Sequence, residues 1–211
     1  MILKVTPTRI TLLNLKKDLK VAQKGYKLLK DKRDGLMKKF MSVIKDARDL
    51  RESVEERLGD AFTAYTKASA LMHEKTIDVA FLIPGIKVNL DVQVKNVMSV
   101  PIPHIEIQKT GSPFSYGILE TNGNLDNAVA KFDDVFADIV KLSELEKAAE
   151  NLAAEIERTR RRVSALENTR IPNLNDTIRF ITSQLEERAR DAVVSTMRVK
   201  AMIIAKEEAK Q

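Results

Sequence analysis

Residues 12–50 read LLNLKKDLKVAQKGYKLLKDKRDGLMKKFMSVIKDARDL, and apolar side chains recur in this stretch at alternating steps of three and four. This spacing is a heptad seam, which is typical of a long α-helix packed against a second helix. Arg33 is the only basic side chain on the seam. The seam positions, followed as far as Val54, are Leu12, Leu15, Leu19, Ala22, Tyr26, Leu29, Arg33, Leu36, Phe40, Val43, Ala47, Leu50 and Val54.

The seam extends beyond this stretch in both directions. Thr6-Pro7 predicts the start of the helix, with Thr6 as N-cap and Pro7 at the first helical position. After Val54, a step of four to Leu58 makes one eleven-residue repeat, and the seam then resumes as far as Met72. At about 1.5 Å per residue the whole seam spans roughly 90 Å, which no single globular core reaches.

A second helix is predicted to begin near Asn124, after the turn signal Thr121-Asn122-Gly123. Pro172 falls inside its apolar pattern and predicts a kink, because the spacing recovers beyond the proline. The apolar positions before the strict seam are Leu125, Val129, Phe132, Phe136 and Ile139. The strict seam comprises Leu145, Ala149, Leu152, Ile156, Thr159, Val163, Leu166 and Arg170, and the spacing resumes at Leu174, Ile178, Ile181 and Leu185.

The segment between the helices has the period of a strand. Val88, Leu90, Val92 and Val94 alternate with polar residues, and a turn at Ile83-Pro84-Gly85 precedes them. The sequence therefore predicts a short β hairpin or small sheet around residues 86–108, followed by an irregular loop.

Together these patterns predict a mainly α protein, a long antiparallel two-helix left-handed coiled coil with a small β-hairpin and loop insert at the bend. The expected divisions are an N-terminal coiled-coil helix at 1–80, a globular insert at 81–123 and a C-terminal coiled-coil helix at 124–211. The two helices would form one discontinuous unit. With the bend near residue 101, Arg33 and Arg170 would lie at about the same level.

The charge is unevenly distributed along the chain. Residues 1–40 carry twelve basic and three acidic side chains, residues 158–211 carry twelve and seven, and the stretch between them carries twelve and twenty. An antiparallel hairpin would bring both basic segments to one end, where an acidic partner is the expected complement. The candidate partner-binding residues are Lys16, Lys17, Lys20, Lys24, Lys27, Arg179, Arg188 and Arg190.

The residues give little support for catalysis. The chain has no cysteine, which excludes disulfides, thiolate catalysis and cysteine zinc sites. The helical glycines do not follow a strand as a phosphate loop would, and Glu144, Glu146 and Glu150 have no histidine at metal-ligand spacing. His104 is expected to be a loop or interface residue rather than a base. We therefore expect no catalytic residue, no metal ligand and no cofactor.

Two basic features remain open to more than one interpretation. The run Arg158, Arg160, Arg161 and Arg162 is either a solvated helix face or a contact with an anionic partner. Arg33 and Arg170, the basic residues on the strict seams, either extend to water or form a polar layer that fixes the register.

Both helices resemble those of the D subunits of V-type and archaeal-type rotary ATPases. In the first helix the resemblance lies in Pro7-Thr8-Arg9, Leu12, Leu15-Lys16, Ala22, Gly25, Leu28-Leu29-Lys30 and Lys32-Arg33-Asp34. In the second helix it lies in the continuous stretch from Glu155 to Glu167 and then in Ile171-Pro172. The family often has Asn where Ser164 stands. The insert matches the family only in position and character.

The resemblance implies the central rotor shaft of a V/A-type rotary ATPase or ATP synthase. Such a shaft couples ATP hydrolysis or synthesis to proton or sodium transport and is not itself catalytic. The implied partners are the hexamer of A and B subunits, the small F component of the rotor and a funnel-shaped adaptor to the membrane ring. The implied location is cytoplasmic, peripheral to the membrane without insertion into it, and no nucleic acid is expected. The alternative from another class is a basic coiled-coil scaffold or nucleic-acid-binding protein.

Overall fold

The computed structural model describes residues 5–117 and 121–208. The prediction of a mainly helical chain with a small antiparallel sheet between long helices is confirmed. The elements, in chain order, are α1 (Arg9–Ser69), α2 (Glu74–Ala80), β1 (Ile86–Val97), β2 (Val100–Gly111), α3 (Gly123–Ala165), a π-helical turn (Leu166–Arg170) and α4 (Ile171–Glu208).

Helix α1 begins two residues later than the sequence predicted. Thr8, and not Thr6, caps it: the Thr11 N–H donates to Thr8 Oγ1 at 3.2 Å, and the Thr8 N–H donates to Thr11 Oγ1 at 3.0 Å. This reciprocal pair works like a capping box and satisfies two N–H groups that the helix leaves unpaired. Pro7 therefore precedes the cap instead of opening the helix.

The chain divides into two compact units, one formed by the chain up to Arg33 and from Arg158 onward, the other by Asp34–Glu157. In the first unit α1 packs against α4, and low residue numbers on α1 meet high ones on α4. The Arg188 guanidinium donates to the Pro7 carbonyl at 3.0 Å, which fixes the antiparallel direction. The apolar core of this unit comprises Leu12, Leu15, Leu19, Ala22, Leu174, Ile178, Ile181 and Leu185.

In the second unit α1 runs antiparallel to α3. Arg51 pairs with Glu146 and Arg57 with Asp138. The midpoint of each pair of residue numbers lies near 98, whereas the sequence predicted a bend near residue 101. The residue of α3 that faces a given residue of α1 therefore lies between one and two helical turns from the predicted one. Helix α1 ends at Ser69, before the predicted seam does, and α3 begins at Gly123, close to the predicted start.

The chain stays helical through Pro172, with a π turn just before it. Proline cannot donate to the carbonyl of residue 168, and its ring would collide with that carbonyl. In the π turn the Ile171 N–H bonds back to the carbonyl of Leu166, five residues earlier. The extra residue also rotates the apolar face. As a result Arg170 is exposed and not on the seam, whereas Leu174 is buried again.

The β hairpin is longer than predicted, extending to Gly111. Met98 and Ser99 form its two-residue turn, with φ of 52° and 69°, as a type I′ turn requires. Position 111 needs glycine, because its φ is +108° and a Cβ there would lie 2.1 Å from the Gly85 carbonyl oxygen. Among the described residues, no helix carries an apolar stretch long enough to cross a membrane.

Replacing Gly25 by Ala should stabilise the chain. A Cβ at this position of α1 would meet nothing within 4 Å. The expected gain in the free energy of unfolding is about 0.5–1 kcal/mol, from helix propensity alone. Gly35→Ala is the matched control, because a Cβ there would lie 3.0 Å from the Met98 methyl group. Denaturant titration that shows no gain for Gly25→Ala, or an equal gain for both variants, would contradict this interpretation.

Candidate functional site

The first candidate surface is the β hairpin, which four polar contacts attach to α3. Glu144 accepts the Ile105 N–H at 3.0 Å, and its other oxygen lies 3.1 Å from His104 Nδ1. The Asn151 amide donates to the Pro101 carbonyl at 2.8 Å. Lys109 Nζ lies 2.6 Å from an Asp133 carboxylate oxygen. His104 therefore lies in β2 and not in a loop, and its contact joins β2 to α3 of the same chain.

The spacing of these contacts shows that β2 follows α3 along its length. Asp133 to Asn151 is about 27 Å of helix at 1.5 Å per residue, and Pro101 to Lys109 is about 26 Å of strand at 3.3 Å per residue. The turn end of the hairpin is anchored by apolar packing. Val100 is buried in a core that comprises Leu36, Val43, Ala148, Leu152 and Ile156, and Ile102 packs against it.

Three glutamates of α3, whose spacing in the sequence does not fit a metal site, all have basic or histidine partners. Glu144 contacts His104, Glu146 pairs with Arg51, and Glu150 pairs with Lys147 at 2.6 Å. The hydrogen bond between Arg51 and Glu146 raises the pKa of Arg51, and the negative charge of the Glu146 carboxylate raises it further. Across residues 5–117 and 121–208 no three acidic or histidine side chains are grouped as a metal site would require. Glu144 and Glu146 thus connect α3 to other elements of the fold, whereas Glu150 pairs within α3.

A second surface surrounds α2 and the loops beside it. The Phe62 and Phe132 rings meet edge to face with centroids 5.3 Å apart, and they line an apolar groove of about 350 Å³ together with Phe81. Large apolar side chains of α2 and of the segments that flank it are also exposed, namely Leu71, Val79, Phe81, Leu82 and Ile83. An apolar patch of this kind is typical of a protein-binding surface.

The predicted basic residues all lie in the unit that contains Arg9–Arg33 of α1 and α4. Their side chains are exposed. Arg188 contacts the Pro7 carbonyl, and Arg190 pairs with Glu187 at 2.7 Å. The packing of α1 on α4 places Arg179 near the same stretch as Lys16, Lys17, Lys20, Lys24 and Lys27. The structure thus places these residues along one helix pair, with Arg188 and Arg190 near the start of α1, and their role in binding a partner stays a prediction.

The sequence reasoning missed the last part of α4. Every side chain from Glu186 to Ala205 is exposed, and seven large apolar ones among them are 43–65% exposed. Their dense spacing in the sequence was the available signal. The seven residues are Val193, Val194, Met197, Val199, Met202, Ile203 and Ile204.

The arginine run at 158–162 is exposed on α3, and Arg33 is half-buried on α1. Arg33 and Arg161 both have interaction partners in the structure. Exposure alone does not separate a solvated face from a contact with an anionic partner, so both interpretations of the run remain.

Known proteins resemble this chain along almost all of its length. The family model that describes the D subunit of ATP synthase matches residues 11–201. The D subunit of a V-type ATP synthase in Fusobacterium nucleatum is 42% identical over 204 residues, covering 95% of this chain and 97% of that protein. Proteins of the same name from Clostridium novyi and Clostridioides difficile are 40% and 41% identical, covering 98% and 97% of this chain and 98% and 93% of their own lengths.

Proposed function

The chain belongs to the family of ATP synthase D subunits, and from this premise we propose that it is the central rotor shaft of a V/A-type rotary ATPase. In this role it transmits torque between a catalytic hexamer of A and B subunits and a membrane ring that moves protons or sodium ions. It binds no nucleotide itself. The remaining partners are the small F component of the rotor and the funnel-shaped adaptor of the ring.

One observation supports this proposal most directly: the end of α4 exposes a long apolar surface in the unit that also carries the exposed basic side chains. Exposed apolar surface of this extent needs a partner to cover it. We assign that partner as the hexamer, into which residues 186–205 of α4 insert. The same unit supplies Lys16, Lys17, Lys20, Lys24 and Lys27 as the surface that faces an acidic sleeve.

A turning shaft favours weak contacts with its bearing, because each strong contact has to be broken on every turn. Exposed ion pairs contribute only about 0–1 kcal/mol each and are screened by salt. Many exchangeable lysine contacts therefore attract the shaft without fixing its angle. The apolar end of α4 adds attraction that does not depend on direction.

The unit formed by Asp34–Glu157 carries the coupling surfaces in this proposal. Its β hairpin and the apolar groove around Phe62, Phe81 and Phe132 would bind the small F component and the adaptor on the membrane-facing side. The hairpin has only two strands, too few for independent stability in water, and its packing on α3 presents it in one orientation.

Reversing four lysines together should weaken assembly with the hexamer. Lys16, Lys17, Lys20 and Lys24 changed to Glu should lower the fraction of chain incorporated, most strongly at low ionic strength, where charge interactions are least screened. Any single Lys→Ala change should be nearly silent. Helicity by circular dichroism should be unchanged, since none of the four side chains is on the seam.

The matched control is a fourfold reversal on the same helix outside this unit, at Lys38, Lys39, Lys45 and Lys67, which are equally exposed. It should leave hexamer assembly intact. Normal assembly of the first variant at low salt, or equal losses in both variants, would show that the basic cluster is not what the hexamer recognises.

The purified chain should hydrolyse no ATP at a rate above that of a mock preparation. The proposal places nucleotide binding on the A and B subunits. Phosphate release measured with the isolated chain, and again after addition of the hexamer, checks this. Turnover that stays with the isolated chain through successive purification steps would show that it is an enzyme.

A further inference from the structure

The two edges of the β hairpin are not equivalent, and their difference follows from the turn. A two-residue type I′ turn closes on a hydrogen-bonded pair, here Val97 with Val100. Hydrogen-bonded and non-hydrogen-bonded pairs then alternate along the ladder. The even-numbered residues of β1 and the odd-numbered residues of β2 therefore direct their backbone N–H and C=O groups outward. The contacts of Ile105 N–H and Pro101 C=O with α3 agree with this assignment.

The outer edge of β2 is blocked. Pro101 and Pro103 stand at outward positions and have no N–H to offer. The outward N–H of Ile105 is bonded to Glu144, and Asn151 occupies the outward carbonyl of Pro101. No further strand can pair along this edge, because α3 already covers it.

The outer edge of β1 is open. Its outward positions include Val88, Leu90, Val92 and Val94, whose side chains are 36–62% exposed. No proline interrupts β1, and none of the hydrogen bonds resolved among the described residues engages these outward backbone groups. A long, exposed, apolar edge strand of this kind is a template for pairing with another strand.

The charges on the polar face of β1 indicate what the added strand carries. Lys87, Asp91 and Lys95 lie four residues apart on this face, and Asp91 stands directly opposite Glu106 of β2. Like charges at directly opposite positions destabilise a sheet. A basic side chain placed beside Asp91 would relieve that repulsion, and acidic side chains would match Lys87 and Lys95.

The same charges disfavour a second copy of this chain as the partner. The outward groups allow two nearly complete antiparallel registers of two β1 strands. Pairing over residues 86–96 places Asp91 beside Asp91 of the other copy and Lys87 beside its Lys95, and pairing over 87–97 places no opposite charges side by side. Registers that match opposite charges overlap over fewer residues. Lysines at sheet edges are a known protection against self-association.

We propose that the outer edge of β1 binds an extended segment of another component of the complex as a third strand. This segment alternates apolar residues with polar ones, and its polar residues run acidic, basic, acidic opposite Lys87, Asp91 and Lys95. The proposal rests on the proposed function only in that the partner belongs to the rotary complex.

Hydrogen–deuterium exchange with residue resolution, on the isolated chain and on the chain in the assembled native complex, tests this pairing. In the isolated chain the amides of Val88, Leu90, Val92 and Val94 should exchange fast, and that of Ile105 slowly. In the complex the four fast amides should become protected, because each gains a strand partner. Side-chain burial without strand pairing would leave them fast and would overturn the proposal.

Two other outcomes are distinguishable. Protection of the four amides in the isolated chain that grows with its concentration would show pairing with a second copy, and would overturn the assignment to a different protein of the complex. Failure of the chain to co-purify with rotary ATPase subunits would instead refute the proposed function. Co-purification with the four amides unprotected would refute only the strand pairing.

A substitution provides a second measurement. Val92→Pro removes one outward N–H but no bond of the β1–β2 ladder, just as Pro101 and Pro103 do on the other strand. In reconstitution with equal amounts of wild-type chain, the variant should be incorporated about tenfold less, the factor expected for losing roughly 1.4 kcal/mol of binding. Val92→Thr keeps the N–H and the branched shape and should compete equally. Equal incorporation of Val92→Pro would contradict the proposal.

Discussion

Truncating Leu152 to Ala should lower the free energy of unfolding by about 2–5 kcal/mol, the range for a fully buried leucine that leaves a cavity. Leu152 is completely buried on α3, in the core where Leu36 of α1 and Val100 of the hairpin meet. The substitution therefore loosens α1, α3 and the hairpin together. Denaturant titration followed by circular dichroism measures the loss.

Leu28→Ala is the matched control for this experiment. Leu28 also lies on a long helix, but its side chain is exposed. Because leucine and alanine both favour helix, this change should alter stability by no more than about 0.5 kcal/mol. A loss below about 1 kcal/mol for Leu152→Ala would show that the three elements do not share a core.

Replacing the hairpin, residues 86–111, with a short Gly/Ser linker should abolish binding of the membrane-side partner and with it ion transport driven by ATP. The helices should remain folded, because α1 packs directly on α3 and on α4 without β1 or β2 between them. Loss of Val100 and Ile102 from the core should lower stability without unfolding the helices. Circular dichroism, partner pull-down and transport per ATP hydrolysed are the three measurements.

A change confined to the turn is the control for that replacement. Asn-Gly in place of Met98-Ser99 suits the positive φ angles of a type I′ turn and should preserve both binding and transport. If the linker variant bound its partner and transported ions normally, the hairpin would have no role in coupling.

The helices could be predicted from the sequence because heptad spacing is a local signal repeated many times. All thirteen positions of the first seam, from Leu12 to Val54, are buried or half-buried in the structure. The register between α1 and α3, that is, which of their residues face each other, was harder to predict, since it depends on where α1 ends and α3 begins. Arg170 was misplaced for a related reason: no pattern of residues announces the π turn that rotates it away from the seam.

The candidate surfaces were predictable in part. Charge is visible in a sequence, so the basic residues could be selected as candidates in that way, and their binding role stays a prediction. The hairpin contacts depend on pairs far apart in the chain, such as Glu144 with Ile105 and Asn151 with Pro101. The exposed apolar end of α4 could be identified only once the extent of α1 was known, since α1 would otherwise cover it.

Rotation of a probe on this chain tests the central claim most directly. The sequence has no cysteine, so a single Cys at an exposed position outside the hairpin, such as Glu52, gives one unambiguous attachment point. With the hexamer of a reconstituted complex fixed to a surface and a bead attached to that Cys, addition of ATP should turn the bead in one direction, and removal of ATP should stop it. A bead that stays still while the same complexes hydrolyse ATP would contradict the assignment of this chain as the rotor shaft.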